Sequence, residues 1–306
     1  MLLPLRAAPR YPTTLLATCA LALLACGGGQ VSTQDGGSAG AGSPDSGVGA
    51  PDAGAGRPDA GGLPPDAGAG SLDGGVLAGI WHPPTGTTFQ LQLTGTIDTT
   101  VSATMYDIDL FDVPQSTLDG LHTKGRIVIC YFSAGTYENW RSDASSFPSS
   151  AIGNPVAGWA GEWWVDTRNS TVRSIMKARM DLAVQKKCDG VDPDNVDGYT
   201  NGPGFPLTAT TQLDYNRFLA AEAHARGLSV GLKNDVGQVT DLASSFDWAL
   251  NEECSKYSEC ATLQPFVQAA KAVFHVEYTS TCPAPISGHS LILKNLNLDA
   301  WRAVCP

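Results

Sequence analysis

The sequence has few basic residues and few histidines. Its 306 residues contain 19 Lys and Arg against 30 Asp and Glu, a formal net charge of −11, and only 5 His. Proteins that bind nucleic acids carry a basic surface, so this balance argues against a nucleic-acid partner. Because histidine is a common ligand of transition metals, its scarcity argues against such a site, and we expect no metal or cofactor. The acidic excess suits a cationic ligand instead.

Long apolar runs are also missing, apart from a short one near the N-terminus. Residues 13–25 are mostly apolar and follow Arg6 and Arg10, which is typical of a secretory signal, and the run is too short to cross a bilayer. It ends in Leu-Leu-Ala-Cys at 23–26, which resembles the lipobox of bacterial lipoproteins, whose cysteine is lipidated. We therefore predict a lipoprotein signal peptide over residues 1–25 and lipidation of Cys26. The alternative is an ordinary secretory signal with a chance cysteine.

The residue after this cysteine bears on the location. Gly27 stands where an Asp commonly retains lipoproteins in the inner membrane. We therefore expect export and a lipid anchor in the outer membrane or at the cell surface. The N-terminal anchor is the only membrane attachment that the sequence predicts.

Residues 27–75 lack aromatic side chains and hold 17 glycines. Pro-Asp-Ala-Gly recurs there at 51–54, 58–61 and 65–68, and large aliphatic residues are too few to offset the entropy lost on folding. Glycine makes such a chain flexible, whereas proline and aspartate keep it extended and soluble. We predict that residues 26–75 form a disordered tether rich in Gly, Ala, Pro and Asp.

Six cysteines follow the tether: Cys130, Cys188, Cys254, Cys260, Cys282 and Cys305. An even number in an exported protein indicates three disulfides, although sequence alone permits fifteen connectivities. The spacings favour Cys254–Cys260 as a short loop and Cys282–Cys305 near the C-terminus, with Cys130–Cys188 joining neighbouring strands. A zinc site is the competing interpretation, but the sequence has no Cys-x-x-Cys motif and no close pairing of Cys with His.

Short strand-like runs alternate with helical patterns from residue 76 onward. Strands are predicted over residues 89–93, 104–110, 126–133, 190–195, 229–235, 248–254, 273–279 and 290–297, and helices over 170–187, 208–226 and 264–271. Eight strands with helical crossovers predict an α/β fold, a (β/α)8 TIM barrel over residues 76–306. A doubly wound open sheet is the alternative, but no glycine-rich phosphate loop follows the first strand.

Polar and apolar residues alternate along several of these strands. Val230 and Leu232 face one way while Lys233 and Asp235 face the other, and Phe274, Val276 and Tyr278 oppose His275 and Glu277. We expect the apolar faces to pack on the outer helices and the polar residues to point into the mouth of the barrel, where barrel active sites lie. The carboxylates expected there are Asp107, Asp109, Asp192, Asp194, Asp235, Glu252 and Glu277.

Converging carboxylates serve two chemistries, hard-metal binding and glycoside hydrolysis. The loop after the third strand favours sugar chemistry, because indole and phenol faces stack on pyranose rings. Its aromatic residues are Tyr137, Trp140, Trp159, Trp163 and Trp164, of which two or three could simply belong to the core.

Four motifs then carry a family resemblance. They are Val128-Ile-Cys-Tyr-Phe-Ser-Ala-Gly-Thr-Tyr-Glu138, Cys188-Asp-Gly-Val-Asp-Pro-Asp-Asn-Val-Asp-Gly-Tyr199, Gly231-Leu-Lys-Asn-Asp235 and Trp248-Ala-Leu-Asn-Glu-Glu-Cys254. In this order they resemble glycoside hydrolase family 114, the endo-α-1,4-polygalactosaminidases, which have a (β/α)8 fold. Two positions depart from the family pattern: Phe89 stands where relatives often have tryptophan, and Asp192 where many have glutamate.

The resemblance implies roles for individual residues. The family's aspartate in the Pro-Asp-Asn motif corresponds to Asp194 and its glutamate in the Asn-Glu motif to Glu252, which we assign as nucleophile and general acid/base of a retaining mechanism. Glu277 is the alternative nucleophile, because other barrel glycosidases carry theirs on strand seven. The implied substrate is a cationic, galactosamine-containing polysaccharide. The candidate substrate-binding residues are Asp109, Tyr131, Asp192, Lys233, Asp235 and Glu277.

Three functions are compatible with these residues. The first is an endo-glycosidase that cuts an α-1,4-linked galactosamine polymer, and the second is a glycosidase of the same mechanism for another amino-sugar or neutral glycan. The third is a non-catalytic polysaccharide-binding lipoprotein, against which the presence of both Asp194 and Glu252 argues. We expect the protein to be a monomer.

Overall fold

The computed structural model describes residues 79–306. The predicted signal peptide over residues 1–25, the lipidation site at Cys26 and the tether over residues 26–75 all lie outside the described residues. The strands, in chain order, are β1 (Phe89–Gln92), β2 (Met105–Asp109), β3 (Ile127–Ser133), β4 (Thr136–Glu138), β5 (Ile152–Pro155), β6 (Glu162–Val165), β7 (Gly190–Asp194), β8 (Ser229–Lys233), β9 (Trp248–Glu252), β10 (Val273–Glu277), β11 (His289–Lys294) and β12 (Arg302–Val304).

The main sheet is a barrel whose strand order follows the chain. Its order is β1-β2-β3-β7-β8-β9-β10-β11-β12, and every pair is parallel except β11 with β12. All eight predicted strands are present, with ends within three residues of the prediction. The predicted (β/α)8 TIM barrel is therefore confirmed for this part of the chain.

An antiparallel strand, β12, which the sequence analysis missed, follows the eighth parallel strand. The segment between β11 and β12 closes the barrel against β1 through single contacts instead of a strand ladder: the backbone N of Leu93 donates to Leu298 O (2.9 Å), and Gln90 Nε2 donates to Ala300 O (2.9 Å). At three residues, β12 is too short to give a periodic signal.

Alternation along the strands separates an inner core from an outer one. The inner core fills the barrel with strand side chains such as Phe89, Trp248 and Phe274, whereas Val230 and Leu232 pack outward with residues of the helices. Gly231 makes the inner packing possible, because a Cβ at this position would lie 2.2 Å from the Trp248 ring.

The helices are α1 (Gln115–Thr123), α2 (Ser170–Gln185), α3 (Ala209–His224), α4 (Val239–Leu242), α5 (Cys254–Tyr257) and α6 (Gln264–Gln268). Asn169 caps α2 by accepting from Thr171 N, and Thr208 caps α3. Gly227 follows α3 at a φ of +75°, as predicted for a C-terminal cap. Along residues 79–306, no helix combines the length and apolar character needed to cross a bilayer.

A small antiparallel sheet, ordered β4-β6-β5, occupies the connection between β3 and α2. The sequence analysis treated this stretch only as an aromatic loop. The turn into it crosses the end of β7 so closely that a Cβ on Gly135 would lie 1.7 Å from Asn195 O. Glycine at this position therefore lets the small sheet lie beside the carboxyl end of β7.

Three disulfides tie the described residues together. They are Cys130–Cys188, Cys254–Cys260 and Cys282–Cys305, so the predicted pairing is confirmed. Cys130 lies on β3 and Cys188 just before β7, and these two strands are neighbours in the barrel.

Candidate active site

A buried lysine lies at the carboxyl ends of the central strands. Lys233, the last residue of β8, is 1% exposed, and its Nζ lies 3.2 Å from Glu252 Oε2 and 3.4 Å from Asp194 Oδ2. Asp194 and Glu252 are themselves the last residues of β7 and β9. Parallel strands present their carboxyl ends at the same rim, so the fold brings the two predicted catalytic carboxylates together around one ammonium group.

Opposing effects set the charge of this lysine. Burial alone would lower the pKa of Lys233, but the negative charges of Asp194, Glu252 and Asp192 outweigh it and raise the pKa well above its usual value. Lys233 is therefore a permanent cation at neutral pH. It offsets part of the negative charge that would otherwise keep the two carboxylates apart.

A tyrosine hydroxyl also donates to each carboxylate. Tyr131 on β3 donates to Asp194 Oδ2 (3.0 Å), and Tyr278, just after β10, donates to Glu252 Oε1. Burial and the charge of the adjacent carboxylate raise the pKa of both phenols above its usual value. Both tyrosines therefore remain protonated and act as hydrogen-bond donors.

Glu252 has a further partner in the loop after β8. Asn234 Nδ2 lies 3.3 Å from Glu252 Oε2, while Asn234 Oδ1 accepts from the backbone N of Glu252 (2.9 Å). Burial would raise the pKa of Glu252, but the charge of Lys233 and the hydrogen bonds from Tyr278 and Asn234 outweigh it and lower the pKa below its usual value. Glu252 is therefore ionised in the unliganded site.

Two fully buried carboxyls lie deeper in the barrel. Asp107 on β2 and Asp192 on β7 are both 0% exposed, and none of their four oxygens has a donor from any other group among residues 79–306. Each of these carboxyls shifts the pKa of the other. Burial and the charge of Asp192 raise the pKa of Asp107 well above its usual value, so Asp107 is protonated and can donate to Asp192.

Asp192 also connects this pair to the lysine. Its Oδ2 lies 3.8 Å from Lys233 Nζ. Burial and the charge of Asp194 raise the pKa of Asp192 to about 7, against the opposing charge of Lys233. Asp192 is thus near the predicted catalytic pair, but its complete burial places it below the surface that a sugar would contact.

Asp109 is held by an arginine at the rim. Arg141 donates to both of its oxygens, at 2.7 and 3.0 Å, and also to Glu138 at 2.9 Å. The backbone N atoms of Phe111 and Asp112 donate to the same carboxylate. Both oxygens of Asp109 thus already accept hydrogen bonds within the protein. Its position therefore does not support the predicted contact with substrate.

Asp235 does not reach the Lys233 cluster. It accepts from Asn216 Nδ2 of α3 (2.8 Å), and burial and the charge of Asp197 raise its pKa to about 8. The alternation of β8 fails before this residue because Asn234 and Asp235 have φ values of +51° and +41°, in the left-handed region. Those two residues turn the chain out of strand geometry and direct Asp235 toward the outer helix.

Glu277 faces the outside of the barrel, which corrects the expected orientation of β10. Phe274 and Val276 belong to the inner core, whereas Glu277 accepts from Ser255 N of α5 (2.7 Å) and contacts His275 (2.7 Å). The prediction reversed the two faces because it assumed that apolar residues always face the helices. On this side of the barrel the interior is apolar, and the backbone of α5 supplies a polar partner outside.

The small sheet adds one carboxylate that the sequence analysis did not single out. Glu162 at the start of β6 is 7% exposed and accepts from Thr136 Oγ1 (2.5 Å), and Asn195 Nδ2 lies 3.4 Å away. The aromatic residues of the connection between β3 and α2 divide between core and surface. Trp164 is buried, whereas Trp140 and Trp159 are half exposed.

The sequence misplaces Tyr278 and gives no role to Asn234. Its alternation predicts that Tyr278 faces the helices, and Asn234 belongs to the Gly231–Asp235 motif without an assigned function. Asp107 was expected at the rim and lies at full burial below it. The available signal was positional, since Asn234 and Tyr278 each directly follow a strand, where side chains reach the mouth of a barrel.

The barrel and the paired carboxylates at its mouth are together the arrangement that glycoside hydrolysis requires. Comparison with known families agrees: the chain belongs to glycoside-hydrolase family GH114, whose family model matches residues 75–306. The predicted family is therefore confirmed, and the protein is a glycoside hydrolase.

Solved structures support the same assignment. The chain is 41% identical to Aspergillus fumigatus Ega3, solved in complex with galactosamine, with a TM-score of 0.70 over 76% of this chain and 100% of that chain. The glycoside hydrolase domain of PelA from Pseudomonas aeruginosa is 10% identical, with a TM-score of 0.57 over 71% of this chain and 98% of that one, and shares the fold alone. Comparison with curated proteins gave no match.

Proposed function

We propose that the protein is an endo-acting hydrolase of α-1,4-linked, galactosamine-rich polysaccharide that retains the anomeric configuration. The observation that carries the proposal is the pairing of Asp194 and Glu252 around Lys233 in a chain 41% identical to a protein solved with galactosamine. Galactosamine that is not acetylated carries an ammonium group. An acidic mouth attracts this group and raises its local concentration.

The spacing of the two carboxylates is compatible with retention. Asp194 Oδ2 lies 3.4 Å and Glu252 Oε2 lies 3.2 Å from the same Lys233 Nζ. The distance between these two oxygens therefore cannot exceed the sum of the two values. Retaining glycosidases hold their carboxyl groups about 5–5.5 Å apart, and inverting ones hold them about 6.5–9.5 Å apart to admit a water. The upper limit for this site falls at the lower edge of the inverting range.

In the proposed reaction, Asp194 attacks the anomeric carbon while the Glu252 carboxyl gives its proton to the glycosidic oxygen. The C–O bond breaks, the leaving chain departs as an alcohol, and the sugar remains as an ester on Asp194. Glu252, now a carboxylate, takes a proton from a water that attacks the same carbon. The ester bond breaks and Asp194 returns as a carboxylate.

One observation favours the reverse allocation of roles. Lys233, Tyr278 and Asn234 hold the pKa of Glu252 below its usual value, so the free site presents an ionised group where the first step needs an acid. With Asp194 as nucleophile, Glu252 must gain its proton as substrate binds. With Glu252 as nucleophile, its ionised state already suits the first step.

Two measurements test the proposal. Purified protein is incubated with α-1,4-linked galactosamine oligomers and with their N-acetylated counterparts, and products are separated by size while NMR follows the anomer first formed. We expect internal cleavage of the galactosamine oligomers with α-product first. Cleavage of only acetylated or neutral glycans would refute the substrate, and β-product first would refute retention.

A fluorinated substrate that traps the glycosyl-enzyme settles the roles. Mass spectrometry of the digested, trapped protein locates the ester. We expect it on Asp194, whereas an ester on Glu252 would establish the reverse allocation.

We also propose that the protein is exported and lipid-anchored at Cys26, in the outer membrane or at the cell surface. The order of Arg6 and Arg10, apolar run and lipobox-like residues supports this location, and three disulfides suit an oxidising compartment. Cys26→Ala should release the protein from the membrane fraction or block its processing. Unchanged membrane retention with normal processing would refute the anchor.

A further inference from the structure

The carboxylate of Glu162 lies close to the carboxyl end of β7, the strand that carries Asp194. Asn195, the residue after Asp194, places its Nδ2 2.9 Å from Ser133 Oγ and 3.4 Å from Glu162 Oε1. The charge of Glu162 also contributes to the raised pKa of Tyr131, the phenol that donates to Asp194. Glu162 therefore lies at the mouth of the barrel, beside the predicted nucleophile.

Within the part of the chain that the structure describes, this carboxylate differs from its acidic neighbours in having no cationic partner. Glu138 and Asp109 pair with Arg141, and Asp194 pairs with Lys233. Among residues 79–306, no Lys, Arg or His nitrogen lies within 4.0 Å of Glu162. Both hydrogen bonds that Glu162 accepts within the described part of the chain reach Oε1, whereas Oε2 accepts none from these residues and is not fully enclosed.

A buried carboxylate without a counter-ion is costly, and the cost disappears if a ligand supplies the cation. The open Oε2 can accept a hydrogen bond from an ammonium group. A neutral acetamido group at the same place could not form an ion pair with it. Glu162 can therefore separate the two forms of an amino sugar.

We propose that Glu162 binds the ammonium group of a galactosamine residue near the scissile bond and so selects deacetylated over N-acetylated polymer. This inference rests on the proposed function. It replaces the candidates for ammonium binding among the predicted substrate-binding residues, which are Asp192, Asp235 and Glu277. Asp192 is completely buried, and the structure directs the other two away from the mouth.

The selection should depend on pH. Burial raises the pKa of Glu162 to about 7, with the charges of Glu138 and Asp194 acting in the same direction and the Thr136 hydrogen bond and Arg141 opposing them. Tyr131 stays protonated across this range and adds no charge. Below about pH 7 the Glu162 carboxyl is mostly protonated in the free protein and must lose this proton before it can pair with an ammonium group. KM for the deacetylated polymer should therefore rise as the pH falls.

Steady-state kinetics on the full chain test the proposal, with wild type, Glu162→Gln and Asp112→Asn compared on deacetylated and N-acetylated oligomers between pH 6 and 8. Glu162→Gln keeps the side-chain shape and an acceptor for Thr136. We expect it to raise KM for the deacetylated oligomer about 10- to 100-fold with kcat nearly unchanged, to leave KM for the acetylated oligomer unchanged, and to flatten the pH dependence of KM.

Asp112→Asn is the matched control, because it removes one carboxylate charge from the same rim at an exposed position, where solvent screens it. We expect wild-type KM values from this variant. Equal KM ratios for the two oligomers in wild type and Glu162→Gln would overturn the proposal. So would a loss of kcat on both oligomers with the pH dependence intact, which would indicate a structural role.

A binding measurement covers the case in which Glu162→Gln fails to fold. Calorimetry of wild-type protein, in two buffers of different ionisation enthalpy below pH 7, compares galactosamine with N-acetylgalactosamine, so that any proton gained by Glu252 is common to both ligands. We expect galactosamine to release more protons than N-acetylgalactosamine, and equal proton changes for the two sugars would overturn the inference. A wild type that shows this difference in proton release yet cleaves no galactosamine oligomer would refute the proposed function and leave the Glu162 site standing.

Discussion

Strands β8 and β10 share the same alternating pattern but present opposite faces to the barrel interior. In β8 the apolar residues Val230 and Leu232 face the helices and the charged Lys233 faces inward. In β10 the apolar residues Phe274 and Val276 face inward, and Glu277 faces α5. Alternation thus shows that a strand has two different faces, but it does not show which of them is inside.

The surroundings of the two strands explain the difference. Around β8 the upper interior holds carboxylates from β7 and β9, which favour a cation. Around β10 the interior is filled by Trp248, and the outside offers the backbone N of Ser255 as a donor. A polar side chain faces the side on which it finds a partner, because an unpaired buried polar group is costly.

The largest effect should come from the carboxylates beside Lys233. Asp194→Asn and Glu252→Gln preserve shape and remove the ionisable group, so turnover should fall by at least about 10²- to 10⁴-fold while the fold survives. Hydrolysis rates with circular dichroism as the control for folding measure this effect. Turnover above one tenth of wild type in either variant would remove that residue from the catalytic pair.

The comparison of β8 with β10 predicts different outcomes for their charged residues. Lys233→Met removes the cation between the carboxylates and should lower kcat by about 10²-fold. Glu277→Gln should leave kcat nearly unchanged and cost about 1–3 kcal/mol of stability, because it weakens buried hydrogen bonds outside the barrel.

Kinetics and thermal unfolding of the same two variants separate these effects. If Glu277→Gln abolished turnover while Lys233→Met did not, the orientation of both strands given above would be wrong. Glu277 would then again be the candidate nucleophile.

Tyr278 directly follows β10 and, unlike Glu277, contacts the predicted catalytic pair through its hydrogen bond to Glu252. Tyr278→Phe removes one hydrogen bond to an ionised carboxylate, worth about 1.5–3 kcal/mol, and kcat/KM should fall about 10- to 100-fold. Because this bond helps to lower the pKa of Glu252, its loss should move the corresponding limb of the pH–rate profile to higher pH. An unshifted profile would show that Tyr278 does not tune Glu252.

The smallest effect on activity should come from Asp107, which lies with Asp192 below Lys233. Asp107→Asn replaces a protonated carboxyl by an amide that can still donate to Asp192, so activity and melting temperature should stay close to wild type. Asp107→Leu leaves Asp192 without that donor and should cost about 1–3 kcal/mol of stability. Equal melting temperatures for these two variants would argue against a hydrogen bond from Asp107 to Asp192.

The main elements could be predicted because their signals are local. The eight parallel strands appear as short apolar runs, and α2 and α3 have capping residues at their starts. The small sheet and β12 could not be predicted in the same way, since their strands have only three or four residues and pair antiparallel, outside the alternation of strands and helices that marks the four-residue β1.

The sequence by itself determined that Asp194 and Glu252 would meet, because both directly end strands whose carboxyl ends share one rim. It also determined three disulfides and the family. Only the tertiary structure decided that Glu277 faces outward, that Asp107 is buried near Asp192 and protonated, and that Glu162 lies beside Asp194 with no cation from residues 79–306 close to it. Those features depend on which side chains from distant parts of the chain lie within hydrogen-bonding distance, and burial sets their protonation only after the barrel has closed around them.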